Sequence, residues 1–182
     1  MLIFIAGVSG SGKDTIILEL LKRNKNLKRL VSCVTRPPRT NELLQKKYYY
    51  ISEKEFFDKV ANNEFFEYTQ LHSHWCGVLK KDIANAKTEL LIKDIDVNGQ
   101  RSFKSKCLNV PILSVFLDVS KTELKKRLIA RGEKDIELRL SRFDYENQFK
   151  QEFDLVVKNL NMEKTIQIIE NKIKQELLKR LY

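Results

Sequence analysis

Glycine and proline are scarce, at 6 and 3 among 182 residues. That leaves no material for a flexible linker, a low-complexity tract or an internal repeat. The three cysteines, Cys33, Cys76 and Cys107, are odd in number and widely spaced, and no Cys-x-x-Cys or Cys/His cluster occurs. A disulfide framework and a structural zinc site are excluded on that count, and reduced thiols predict a cytoplasmic protein. No apolar run approaches the roughly 18 residues of a membrane span, so no membrane partner is expected. The opening apolar run "LIFIA" is too short and lacks the basic flank of a leader, so none is expected.

What is present is a chain of globular composition, 42% hydrophobic, long enough for one sizeable core and a single domain. The formal net charge is +10. Such a balance suits nucleic-acid binding, lysine-rich solvated helices or a basic cleft for small anions. No basic–aromatic module is visible, so no specific nucleic-acid partner is expected, and the motifs below favour the cleft. Monomer and homodimer both stay open.

The apolar periodicity alternates strands and helices. "LIFIA", "KRLVSCV", "ELLIKDIDV", "PILSVFLDV" and "FDLVVKN" read as strands, the first as a buried parallel one. "KDTIILELLKR", "SKTELKKRLIARG" and "DIELRLSRFDYENQF" read as helices, as does a C-terminal segment with Ile166, Ile169, Ile173, Leu177 and Leu181 on one face. Ser120 caps the second of these and Gly132 ends it, while Ser52 and Glu55 form a capping box before "EKEFFDKV". The pattern predicts an α/β protein with a mainly parallel sheet. From Tyr48 to Val78 the strand-like "KYYYIS", "EFFEYTQL" and "HWCGV" break the alternation and predict an inserted subdomain over one sheet edge.

Between the first strand and the first helix lies "GVSGSGKDT". Gly7, Gly10, Gly12 and Lys13 fit G-x-x-x-x-G-K, and Val8, Ser9 and Ser11 fill the intervening positions. Bare backbone N–H groups at a helix N-terminus hold an anion, and Lys13 would reach the outer phosphates of a nucleotide. The position after the lysine, ordinarily Ser or Thr, is Asp14, with Thr15 one residue late. A carboxylate there suits Mg²⁺ directly or through water; it equally suits the positive end of a helix dipole with no metal involved. Thr15 would serve the helix or an inner phosphate.

A phosphate loop leaves ATPase, GTPase and kinase open. "SCVTRPPRTNE" places Arg36 and Arg39 on one rigid loop, where two guanidinium groups suit a phosphate dianion. Tyr48 and Ser32 add hydroxyls, and Glu67 in "NNEFFEY" is a carboxylate able to accept two N–H bonds from one edge of guanine.

These stretches, with "YYYISEKEFF", "LLIKDIDVNG" and "KKRLIARG" in the same order, resemble the guanylate kinase family over essentially the whole chain. The most specific element is T-R-x-P-R followed by strand, helix and the E-F-x-E turn. The resemblance implies a three-layer α/β/α phosphate-loop kinase that transfers the ATP γ-phosphoryl group to GMP or dGMP with Mg²⁺. It implies a core of residues 1–33 and 84–182, an acceptor-binding subdomain of about 34–83 and a lid of about 131–145. By position, Ser32, Arg36, Arg39, Tyr48, Glu67 and Asp96 match residues that contact GMP. Arg131 and Arg139 match lid arginines that neutralise the migrating phosphoryl group, and Asn159 matches an asparagine near the ATP base.

The match has departures. Asp14 is one. Cys76 stands where the family usually has a phosphate-contacting Tyr, and Val78 where it has a Ser or Thr that helps read guanine. The interval from Arg131 to Arg139 is shorter than usual, which predicts an abridged lid. Asp14 and Val78 are shared with a similar family, the ribose 1,5-bisphosphate kinases, which usually lack the full arginine pair and the acceptor carboxylate. Guanylate-kinase-like domains that bind peptides without catalysis typically lose the phosphate loop, which this chain keeps.

Overall fold

The computed structural model describes residues 1–38, 47–71, 73–106, 109–133 and 136–180. In chain order the elements are β1 (Leu2–Ala6), α1 (Lys13–Arg23), β2 (Leu27–Arg29), β3 (Ser32–Val34), β4 (Tyr48–Tyr50), α2 (Glu53–Ala61), β5 (Phe65–Leu71), β6 (His74–Leu79), α3 (Lys80–Ile83), β7 (Leu90–Asp94), α4 (Val97–Lys106), β8 (Ile112–Asp118), α5 (Lys121–Ala130), α6 (Ile136–Gln148), β9 (Leu155–Lys158) and α7 (Met162–Leu178).

All five residues of β1 are buried, as an apolar run with covered faces on both sides requires. Period-two alternation sends its side chains into two cores. Ile3 and Ile5 pack with Ile16, Ile17 and Leu20 of α1 and with Ile166, Ile169 and Ile173 of α7. Leu2, Phe4 and Ala6 pack on the other face with Phe103 of α4, Phe116 and Phe153; the Phe4 and Phe103 rings meet edge-on at 5.0 Å. The sheet has the order β2-β7-β1-β8-β9 with every pairing parallel. Helices on both faces make it a three-layer α/β/α fold. No helix among the described residues is long and apolar enough to cross a membrane.

A second sheet, in the order β4-β3-β6-β5, is built from the stretch that broke the alternation. It has its own small core of Cys33, Phe56, Phe65 and Leu79 under α2. Ser52 Oγ accepts the Glu55 N–H at 3.1 Å, as the capping signature predicts.

One sequence expectation is corrected here. "KRLVSCV" is two strands, β2 in the parallel sheet and β3 in the second sheet. The Leu30 N–H still bonds Ile92 O at 2.9 Å, which holds the chain to the first sheet. Only at Ser32 does pairing with Tyr48 begin, so the chain changes sheets across Leu30 and Val31. The second sheet therefore starts at Ser32, ahead of residue 34. Helix α4 was not legible because it carries Gly99 and buries only Val97, Gln100 and Phe103.

Candidate active site

The phosphate-loop motif forms a tight turn between β1 and α1. Ser11 N–H bonds Val8 O at 2.9 Å, and Gly12 enters the helix at φ 97°. A Cβ on Gly12 would stand 2.8 Å from Asn159 Nδ2, so both backbone angle and space demand glycine. No side chain caps α1, so its first-turn N–H groups and dipole face outward. Lys13 Nζ folds back on Gly7 O at 2.5 Å and Val8 O at 3.3 Å. Burial pulls its pKa below that of an ordinary lysine, although Asp94, Glu146 and Asp14 act in the opposite direction.

The loop opens into a cleft of about 680 Å³ between the two sheets. Of the residues singled out in the sequence, Gly7, Ser9, Lys13, Asp14, Ser32, Tyr48, Glu67, Cys76, Val78, Asp96 and Arg139 line it. The fold thus brings together, from distant parts of the chain, residues between Gly7 and Glu146.

Others are placed elsewhere. Val8 is buried with Leu124 and Leu128, and Ser11 is buried with its hydroxyl unpartnered among the described residues. A Cβ on Gly10 would meet Leu128. Thr15 is exposed on α1. Asn159 Nδ2 donates to Ser11 O at 2.7 Å, so it braces the loop from behind. Arg36 lies outside the cleft lining, its guanidinium 5.3 Å from the Tyr48 ring centre. Arg131 is exposed at the end of α5. Arg39, Cys107 and Leu181 lie outside the described residues.

Asp14 has an unforeseen partner. Lys47, just before β4, puts its Nζ 2.6 Å from Asp14 Oδ1 and 3.1 Å from Asp94 Oδ2. The lysine side chain is 8% exposed and the Asp14 side chain 53%. Burial disfavours the Lys47 ammonium, but Asp94 and Asp14 more than offset it, so the pKa lies above the ordinary lysine value. Burial would raise the Asp94 carboxyl; Lys47, Lys93 and Lys13 instead hold it well below the usual carboxylate range. Tyr48 is pushed up by burial and by Asp94, which keeps its phenol a neutral donor.

Glu67, on β5, pairs across strands with Val78. Burial raises the Glu67 carboxyl above its ordinary value, while a hydrogen bond from Ser102 and the charges of Lys93 and Lys106 work against the shift. Val78 is buried within the apolar core beneath, so its methyls are packing and supply no polar contact to the cleft. Burial also raises the Cys76 thiol, so it stays protonated at neutral pH. Asp96 splits its carboxylate: Oδ1 accepts the Gly99 N–H at 2.8 Å at the start of α4, and Oδ2 lies 3.4 Å from Arg142 Nη2.

Arg139 Nη1 donates to Ser9 Oγ of the loop at 2.8 Å, and Nη2 pairs with Glu133 at 2.7 Å. Its buried Nε has no partner among the described residues, leaving a donor for an incoming anion. Sequence reasoning missed Lys47, Thr69, Lys93, Asp94, Arg142 and Glu146, all of which line the cleft. Lys93 and Asp94 lie inside the apolar "LLIKDI", which reads as a buried strand and does not mark them as site residues. Arg142 and Glu146 follow Arg139 at helical spacing; Lys47 had no signal.

A strand, glycine loop, lysine and helix on a parallel sheet, facing a second sheet across a polar cleft, define a phosphate-loop kinase. The chain belongs to the guanylate kinase family, whose family model matches residues 1–176. Guanylate kinase of Thermotoga maritima is 37% identical over 183 residues, covering 98% of this chain and 88% of that protein. Guanylate kinase of Prochlorococcus marinus is 38% identical over 172 residues, covering 91% and 92%. The crystal structure of guanylate kinase from Anaplasma phagocytophilum shares the fold, with TM-score 0.78 and 24% identity over 97% of this chain and 85% of that one.

Proposed function

We propose that this protein is an ATP-dependent phosphotransferase that converts GMP, and dGMP, to the diphosphate. The observation that carries this reading is the shared cleft: the phosphate loop with Lys13 and the second-sheet carboxylate Glu67 line the same cavity. ATP lies with its phosphates on the loop, and GMP lies on the second sheet with its base toward Glu67. Residues 1–33 and 84–182 act as the core, apart from Ser32 and Cys33, which pair into the second sheet, with about 34–83 as the acceptor-binding unit and about 131–145 as the lid. Lid closure would exclude water from the migrating group.

A phosphate oxygen of GMP attacks the γ-phosphorus, the bond from that phosphorus to the β,γ-bridging oxygen breaks, and ADP leaves. The acceptor is already an anion, so no strong general base is needed, and positioning with charge neutralisation does the work. Lys13 and Arg139 neutralise the transferring group from the loop side. Arg131 reaches it on lid closure, and Arg36 with Arg39 and Tyr48 holds the acceptor phosphate.

No set of three or more His, Cys, Asp or Glu among the described residues can hold a metal. The residues fit a Mg²⁺ ion that is shared with nucleotide phosphates, since Mg²⁺ sites of that type use one or two carboxylates. Asp14 is the residue that would hold it, at the cost of its pairing with Lys47. The ion would supply charge neutralisation on the donor phosphates. Asp14→Asn is expected to raise the Mg²⁺ concentration for half-maximal turnover several-fold. An unchanged Mg²⁺ dependence would assign Asp14 to its ion pair alone.

The reading is tested by coupled ADP release with GMP, dGMP, AMP, UMP and ribose 1,5-bisphosphate as acceptors. GMP and dGMP are expected to support turnover well above the ATP hydrolysis background. Turnover with the sugar bisphosphate alone would overturn it.

A further inference from the structure

Five cationic side chains line the cleft: Lys13, Lys47, Lys93, Arg139 and Arg142. Three are matched by carboxylates. Lys47 pairs with Asp14 and Asp94, Arg139 with Glu133, and Arg142 with Asp96 and Glu146. Among the described residues, Lys13 and Lys93 have no carboxylate within ion-pair distance. Lys13 belongs to the phosphate loop and awaits the donor phosphates. Lys93 has no such explanation.

Lys93 sits within β7, opposite Phe4 of β1, and is only 8% exposed. An ammonium taken out of water is costly unless its charge is matched and its donors are used. One donor goes to Ser32 Oγ on β3. A neutral hydroxyl satisfies a hydrogen bond but forms no ion pair, and the Asp94 and Glu67 carboxylates act on the ammonium only from beyond ion-pair distance. The residue crosses from the parallel sheet to the floor of the second sheet, where Ser32 is in register with Tyr48. Cys76, next to this corner on the β6 side, contributes a protonated thiol and no strong donor.

We propose that Lys93, held by Ser32, binds the phosphate of the acceptor nucleotide. Resting on the acceptor reading above, this assigns to Lys93 the missing counter-charge: a phosphomonoester dianion in the corner between Ser32 and Tyr48. The two remaining N–H donors of the ammonium meet phosphate oxygens, and the ion pair forms inside a largely water-excluded corner where it is strong. Each substrate phosphate then has its own lysine, Lys13 for the donor and Lys93 for the acceptor.

The test is Lys93→Met, which keeps the buried alkyl path, with Lys93→Gln as a second variant that can still hydrogen-bond Ser32. Each is checked for folding by circular dichroism. The KM for GMP is expected to rise roughly 10- to 100-fold, the range for losing a charged hydrogen-bond partner, with the KM for ATP within about twofold. Thermal stabilisation by GMP should shrink, while stabilisation by guanosine, which lacks the phosphate, should not change.

An unchanged KM for GMP in a folded variant overturns the assignment. So does parallel loss of guanosine and GMP binding, which would place Lys93 at the base. Failure of the wild-type protein to use GMP would instead defeat the acceptor reading. The same KM comparison on whichever phosphorylated acceptor it does use would then decide Lys93 separately.

Discussion

Lys13→Met is expected to lower kcat/KM by about a thousandfold, the upper range for removing one preorganised charge that stabilises a transition state. Lys13 extends from the first residue of α1 to the mouth of the loop, where its Nζ rests on the carbonyls of Gly7 and Val8. Those carbonyls only park the ammonium. Its charge is uncompensated by any carboxylate within ion-pair distance among the described residues, and burial already disfavours it. An incoming triphosphate supplies the missing counter-charge. The backbone N–H groups of the loop and the α1 dipole survive the substitution, so ADP binding should weaken less than turnover. Thermal stability should change little, because the loss of two contacts to backbone carbonyls is offset by removal of a partly desolvated ammonium. Steady-state kinetics beside equilibrium ADP binding checks this. A kcat within tenfold of wild type would remove Lys13 from the transition state.

Glu67→Gln should lower kcat/KM for GMP by about 100-fold, as expected when two charge-assisted hydrogen bonds are weakened and one amide donor is turned against the guanine N–H groups. Use of AMP and the KM for ATP should change little. If all nucleotides suffer equally, Glu67 is structural. The pH profile gives a second check. Burial raises the Glu67 carboxyl above its ordinary value, so it takes up a proton at a higher pH in the folded chain than in the unfolded one. Protonation there favours the folded state and removes the acceptor that guanine needs. Use of GMP should therefore fall on the acid side before stability does, and that limb should be missing in Glu67→Gln.

The two experiments probe two parts of one cleft, and these parts were not equally legible. The loop motif is local. Its glycines, its lysine and the flanking apolar strand and helix lie within 23 residues, and short-range geometry decides what they do. Glu67 and Ser32 were readable only through their order in a longer pattern. Lys47 and Lys93 were not readable as site residues. A lysine before a tyrosine, or inside a strand, carries no mark of the carboxylate or hydroxyl it will meet.

The departures look different in the folded chain. Val78 removes a hydroxyl from the cleft, yet its methyls complete the core under the second sheet. Cys76 remains a neutral thiol, and the neighbouring corner is supplied with a donor by Lys93 instead. Asp14 turns out to be one side of a three-residue charge cluster with Lys47 and Asp94 that ties the start of α1, the end of β7 and the approach to β4.

Strand and helix periodicity, the caps at Ser52 and Ser120 and the phosphate loop follow from the sequence alone, because each depends on residues within a few positions of one another. So does the parallel sheet, through the alternation of buried strands with amphipathic helices. The division of "KRLVSCV" between two sheets, the pairing of Asp14 with Lys47 and the burial of Lys93 against Ser32 were decided only by the tertiary structure. These depend on which charges the fold removes from water together, and that is a property of distances in space between segments 33 to 61 residues apart.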